Sequence, residues 1–175
     1  MELEIVGGNH EDLYERLKSG RVDLVLNDQR RAFSDDYVNY HLASARCMIE
    51  ISANNPISSL ESVETEELKN LTCIIVAGEN QRRNEETYHR DILGFRGDFR
   101  FAENLQEARI LVSTGRGFLP VEGMRDDVYY DSSVRRIPLY KNGEQVSRNY
   151  FAFWRKENES SAVRDFAELL KEEFE

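Results

Sequence analysis

Apolar and polar positions fall into short alternating runs and helical faces, most legibly from Phe99 to Pro120. Phe99 and Phe101 alternate as in a strand, and Asn104 with Glu107 three places on forms a capping-box-like helix start. Leu105, Ala108, Leu111 and Val112 then share one helical face. Gly115 stands where a helix C-terminus takes positive φ, and Gly117 to Pro120 reads as a short buried strand closed by its proline. The stretch predicts a compact βαβ unit.

The same reading extends along the chain. Glu2 to Val6 alternates as a strand, Asn9 caps a helix with Leu13 and Leu17 at i, i+4, Gly20 stops it, and Val22 to Leu26 is the next strand. After the polar loop Asn27 to Arg31, Tyr37 to Leu42 is extended, and Cys47, Ile49 and Ile51 alternate. Asn54-Asn55-Pro56 is a turn, and Thr65 caps a short helix carrying Leu68 and Leu71. Leu71 to Val76 is a continuous apolar run, which argues for a parallel strand covered on both faces. Asn84 caps a helix through Tyr88 and Ile92 to Gly94. Beyond Pro120 comes an acidic segment, Glu122 to Asp127, then Val134 to Tyr140, a hairpin signal at Asn142-Gly143, and a return strand Tyr150 to Trp154. Ser160 caps a last helix that presents Val163, Phe166, Ala167, Leu170 and Phe174 on one side and packs on the first sheet.

This pattern predicts an α/β protein with crossings near Ala43 and Val146: residues 1–43 and 146–175 as a first lobe, 44–145 as a second. A chain of 175 residues, 40% of them hydrophobic, buries a real core. With 33 acidic against 23 basic residues the net charge is −10, the wrong sign for a chain that grips DNA itself. No uninterrupted run of about 18 apolar residues and no basic-then-apolar leader occurs, so the expectation is a soluble, cytoplasmic chain without a membrane partner. Cys47 and Cys73 sit in apolar strand-like surroundings without metal-ligand spacing and read as buried thiols.

The ordered pattern resembles the effector-binding, or substrate-binding, domain of LysR-type transcriptional regulators. Asn104 to Pro120 is similar to that domain's second-lobe helix ending Gly-x-Gly before a short apolar strand and Pro. Gly7 to Leu26 resembles its helix followed by Gly-x-x-Asp-Leu, and Asn55-Pro56 with Ser62 to Leu71 its next connection. The resemblance implies a two-lobed periplasmic-binding-protein-like (type II) fold, with a cleft between the lobes and two crossover segments. It also implies an antiparallel homodimer and DNA contact only through a domain absent from this chain. By this comparison the chain opens at the family's second strand. The first strand and helix, whose N-terminus usually offers Ser or Thr to the effector, and the winged helix-turn-helix are not in it.

No local arrangement of His, Cys, Ser or carboxylates forms a catalytic set: Ser113 to Gly117 is not Gly-x-Ser-x-Gly, and no phosphate or dinucleotide loop occurs. No catalytic residue, cofactor or metal is expected. His41 and His89 read as packing or surface residues. Helix N-termini suit anions, and Asn9, Asn84 and Asn104 each mark one; Asn9 also reads simply as the cap of a surface helix. Carried over from the resemblance, effector contacts fall on Asn9 and His10 from one lobe and on Gln81, Arg82, Arg83 and Asn104 from the other. Arg116 is a further forked partner for an anionic ligand.

The function expected is therefore that of a small-molecule sensor that transmits binding by lobe or dimer rearrangement. The alternatives are a stand-alone solute-binding protein, which would carry a signal peptide, and an interaction remnant of the same fold. An enzyme such as prephenate dehydratase is a further alternative, but its Thr-Arg-Phe motif is absent.

Overall fold

The computed structural model describes residues 2–123 and 132–174. The chain divides into two compact units, Met1–Ser44 with Arg148–Glu175, and Ala45–Ser147. The acidic segment after Pro120 lies, from residue 124 to 127, outside the described residues.

In the first unit, α1 (His10–Lys18) is capped by Asn9, whose side chain accepts from the Asp12 amide at 2.9 Å. Glu11 and Asp12 in its first turn and Arg16 and Lys18 in its last complement the helix dipole. Leu17 is buried with Val25, Phe151 and Phe153. β1 (Val25–Asp28) starts three residues later than Val22 to Leu26 and takes in Asn27 and Asp28, which the sequence read as loop. It pairs antiparallel with β9 (Ser147–Arg155), Val25 opposite Phe153 and Asp28 opposite Tyr150. That pairing carries the strand beyond its apolar residues.

Glu2 to Val6 is not a strand. It pairs with nothing among the described residues, and Leu3 and Ile5 are 55% and 86% exposed. Alternation alone does not hold a strand; it needs a partner edge and a face to bury. At the other end, α4 (Ser161–Phe174) buries Val163 and Ala167 against Leu42, Ala152 and Trp154, with Phe174 and Leu170 alongside.

The two expected segments Tyr37 to Leu42 and Cys47 to Ile51 are one strand, β2 (Tyr37–Ser52), which contributes residues to each unit. In the second unit β2 pairs antiparallel with both β6 (Phe118–Gly123) and β7 (Val134–Lys141). The 3₁₀ turn Pro56–Ser59 is capped by Asn55. Short β3 (Val63–Glu64) pairs parallel with β7, and Thr65 is buried inside the 3₁₀ turn Thr65–Leu68 instead of capping it. Glu67 does the capping, accepting from the Glu64 amide at 2.9 Å.

β4 (Cys73–Val76) lies between β6 and β5 (Phe99–Ala102), parallel to both, which completes the βαβ crossing through α3 (Leu105–Ser113). Asn104 caps α3 by accepting from the Glu107 amide, while Glu107 reaches back to the Glu103 amide, one residue earlier than a capping box. Ala108 and Val112 are buried and Leu105 is exposed. β6 runs through Pro120 and does not stop there. β4 is paired with it only at Phe118, so the missing proline amide faces no β4 partner.

α2 (Arg82–Thr87) begins two residues before Asn84, with Gln81 at the cap position, and continues as a π turn, Tyr88–Ile92, before Gly94. The Asn142-Gly143 hairpin has both residues at positive φ and joins β7 to β8 (Glu144–Gln145). The core beneath these strands contains Ile49, Ile51, Cys73, Phe95, Phe118 and Leu139.

Candidate functional site

The densest polar arrangement of the first unit centres on Asp28. As the last residue of β1 it stands opposite Tyr150, which places Arg148, two residues earlier on β9, within reach. Arg30 lies two residues further along the chain, and His10 opens α1. His10 Nε2 is 2.6 Å from Asp28 Oδ1; Arg30 Nε donates to Oδ2 at 2.9 Å, and Arg148 Nε lies 3.1 Å from the same oxygen. The Asp28 side chain is 6% exposed.

Burial pushes the Asp28 carboxyl up, but the His10 bond and the charges of Arg148 and Arg30 outweigh it and hold the group well below the usual carboxylate range. The carboxylate is thus ionised and fixes two guanidiniums and an imidazole in one place. Beside it, Asn27 Oδ1 accepts from the Asp28 amide at 3.0 Å, and Asn27 Nδ2 is buried without a protein partner.

Of the residues singled out from the sequence, Asn9 and His10 belong to this unit. Asn9 is engaged as the cap of α1, and His10 belongs to the Asp28 cluster. The remaining five lie in the second unit. Arg82 donates to Glu103 at 2.8 Å and lies over the Phe101 ring, 5.4 Å from its centre, which draws the start of α2 to the residue preceding Asn104. Gln81 and Arg83 are exposed at that start, and the Asn104 side chain caps α3. Arg116 follows the other end of α3, about 14 Å of helix away, so it does not join the Asn104 group.

His41 is exposed, 3.0 Å from the Ser44 hydroxyl. His89 is buried, its Nδ1 2.7 Å from the Glu85 carbonyl oxygen. Sequence reasoning missed Asp28, Arg30 and Arg148. The available signal was a carboxylate directly after the strand residues Val25 and Leu26 with an arginine two places on; Arg148, 120 positions away, had none. Among the described residues no group of three or more His, Cys, Asp or Glu is placed to hold a metal ion, and no helix is long and apolar enough to cross a membrane.

The model of the LysR substrate binding domain family matches residues 1–175. No curated protein matches. Among solved structures, the chain is similar to the regulatory domain of MetR (NMB2055), a LysR family regulator from N. meningitidis. The TM-score is 0.77 and the identity 18%, over 98% of this chain and 79% of that one. It is also similar to the reduced OxyR regulatory domain from Pseudomonas aeruginosa, at 0.65 and 16%, over 94% and 78%. HinK, a LysR family transcriptional regulator from the same organism, gives 0.66 and 19%, over 99% of this chain and 60% of that one. The fold is the mixed α/β, periplasmic-binding-protein-like type II fold of LysR substrate-binding domains. The chain belongs to the LysR substrate binding domain family.

Proposed function

We propose that this chain is the effector-sensing part of a LysR-type transcriptional regulator. It binds a small anionic molecule between its two lobes and passes the event on as a change in lobe or dimer arrangement. The observation that carries the reading is the Asp28 cluster: a buried carboxylate holding two guanidiniums and His10 in a chain of this family. The contact set is Asn9 and His10 with Gln81, Arg82, Arg83 and Asn104, and Arg116 as an outlying cation. The module is non-enzymatic and cytoplasmic, pairs as a homodimer, and reaches DNA through a domain outside this chain.

A panel of carboxylate and phosphate metabolites screened by thermal shift tests it. The expected result is at least one compound that raises the melting temperature, with affinity for that compound falling in Arg83→Ala while the unliganded melting temperature stays put. Unchanged calorimetric affinity in that variant removes Arg83 from the site, and a panel without any stabilising compound removes the sensor reading.

A second reading, an interaction module, is favoured by the unpaired apolar segment at Leu3 and Ile5. It predicts no ligand response and a loss of partner binding in Ile5→Ser.

A further inference from the structure

The Asp28 cluster is built almost wholly of donors. A guanidinium carries five N–H donors in a fixed plane, and both Arg30 and Arg148 meet Asp28 through the single donor on Nε. Both arginines also hold further contacts in the protein, so a ligand adds to their forks or displaces one arm. The two side chains are only 13% and 15% exposed, which keeps their planes from swinging freely in solvent. The buried Asn27 Nδ2 next to Asp28 carries two more donors and has no protein acceptor; a buried amide nitrogen without an acceptor costs about 1–3 kcal/mol until one arrives. Asp28 is the one carboxylate in contact with this set among the described residues, and His10, Arg30 and Arg148 already hold both its oxygens.

We infer that the end of β1 is an anion subsite, in which Asn27, Arg30 and Arg148 receive a ligand's carboxylate or phosphate oxygens. In it Asp28 acts as the positioning residue that aligns the two guanidiniums. This inference rests on the sensor reading for its biological role, and it deepens that reading by naming the ligand chemistry and residues outside the earlier contact set.

Inorganic phosphate and acetate are the probes, titrated into the whole chain while the arginine Nε–H and asparagine side-chain signals are followed by NMR. The signals of Arg30, Arg148 and Asn27 are expected to move saturably. Binding should weaken by about tenfold or more in Arg148→Gln, as for loss of a charge-assisted fork. Asn27→Asp is the second variant. It keeps the acceptor for the Asp28 amide, removes the buried donor and adds a negative charge, so it should abolish saturation even if Arg148→Gln does not fold. Non-saturating shifts, or saturation unchanged in Asn27→Asp, overturn the inference. A neutral effector that binds equally well to wild type and both variants overturns it while leaving the sensor reading in place. Saturable phosphate binding with no stabilising metabolite supports the subsite and removes the sensor reading.

Discussion

Arg109 meets Glu50 with two parallel bonds, Nε at 3.0 Å from one carboxylate oxygen and a terminal nitrogen at 2.9 Å from the other. The two residues are 59 positions apart, on α3 and at the middle of β2. Arg136 of β7 adds a third bond at 2.8 Å. Glu50 is fully buried and lies opposite both Leu119 of β6 and Arg136. A charge in the sheet interior is tolerable only because both cations are present. Glu50→Ala leaves them without it and is expected to cost about 3–5 kcal/mol. Urea denaturation of the variant measures this, and a loss below about 1 kcal/mol, the scale of a surface pair, contradicts it.

Asp28 gives the protein an acid-sensitive component of stability. Its folded-state carboxyl is held below the ordinary value, so the folded protein takes up this proton less readily than the unfolded chain. The contribution is therefore complete above the unfolded value of about 4 and is lost as pH falls from there toward the folded value. Thermal melts should show wild-type stability dropping below about pH 5, and Asp28→Asn should flatten that drop while melting lower at neutral pH. Parallel curves for the two proteins across the acid range refute the assignment.

Local chemistry made much of this fold legible, and pairing made the rest illegible. The Asn104 cap, the α3 core face at Ala108 and Val112, and the Asn142-Gly143 turn all follow from residues within about four positions of one another, and the structure has all three. Glu2 to Val6 has the right alternation and no strand, because alternation records a face and not a partner. β1 extends into Asn27 and Asp28, and β6 through Pro120, because β9 and β2 carry them there. The polar clusters were the least visible. Glu50, Arg109 and Arg136, like Asp28 and Arg148, are ordinary surface-type residues until the sheet assembles them.

The two cysteines are expected to be chemically silent in the folded protein. Cys47 and Cys73 are both buried and free, and burial pushes the Cys73 thiol well above its ordinary value, away from the reactive thiolate. Ellman's reagent should label neither until denaturant is added, after which both react. Rapid labelling in buffer would show that the strands around them open readily.

Gly117 and Gly115 separate two reasons for a glycine. Both have positive φ, +153° and +73°, so any side chain at either is strained. At Gly115 an added Cβ meets open space, whereas at Gly117 it runs into the Thr72 carbonyl oxygen, the acceptor for the Phe118 amide at 3.0 Å. That bond sets the point where β6 joins β4, with Phe118 opposite Cys73. Gly115→Ala should therefore cost about 1 kcal/mol from backbone strain alone. Gly117→Ala should cost about 1–3 kcal/mol for its backbone and more again for displacing β6 from Thr72. Urea midpoints of the two variants decide the matter: the larger loss at Gly117 is the steric signature, and equal losses would mean that the chain around Thr72 yields without cost.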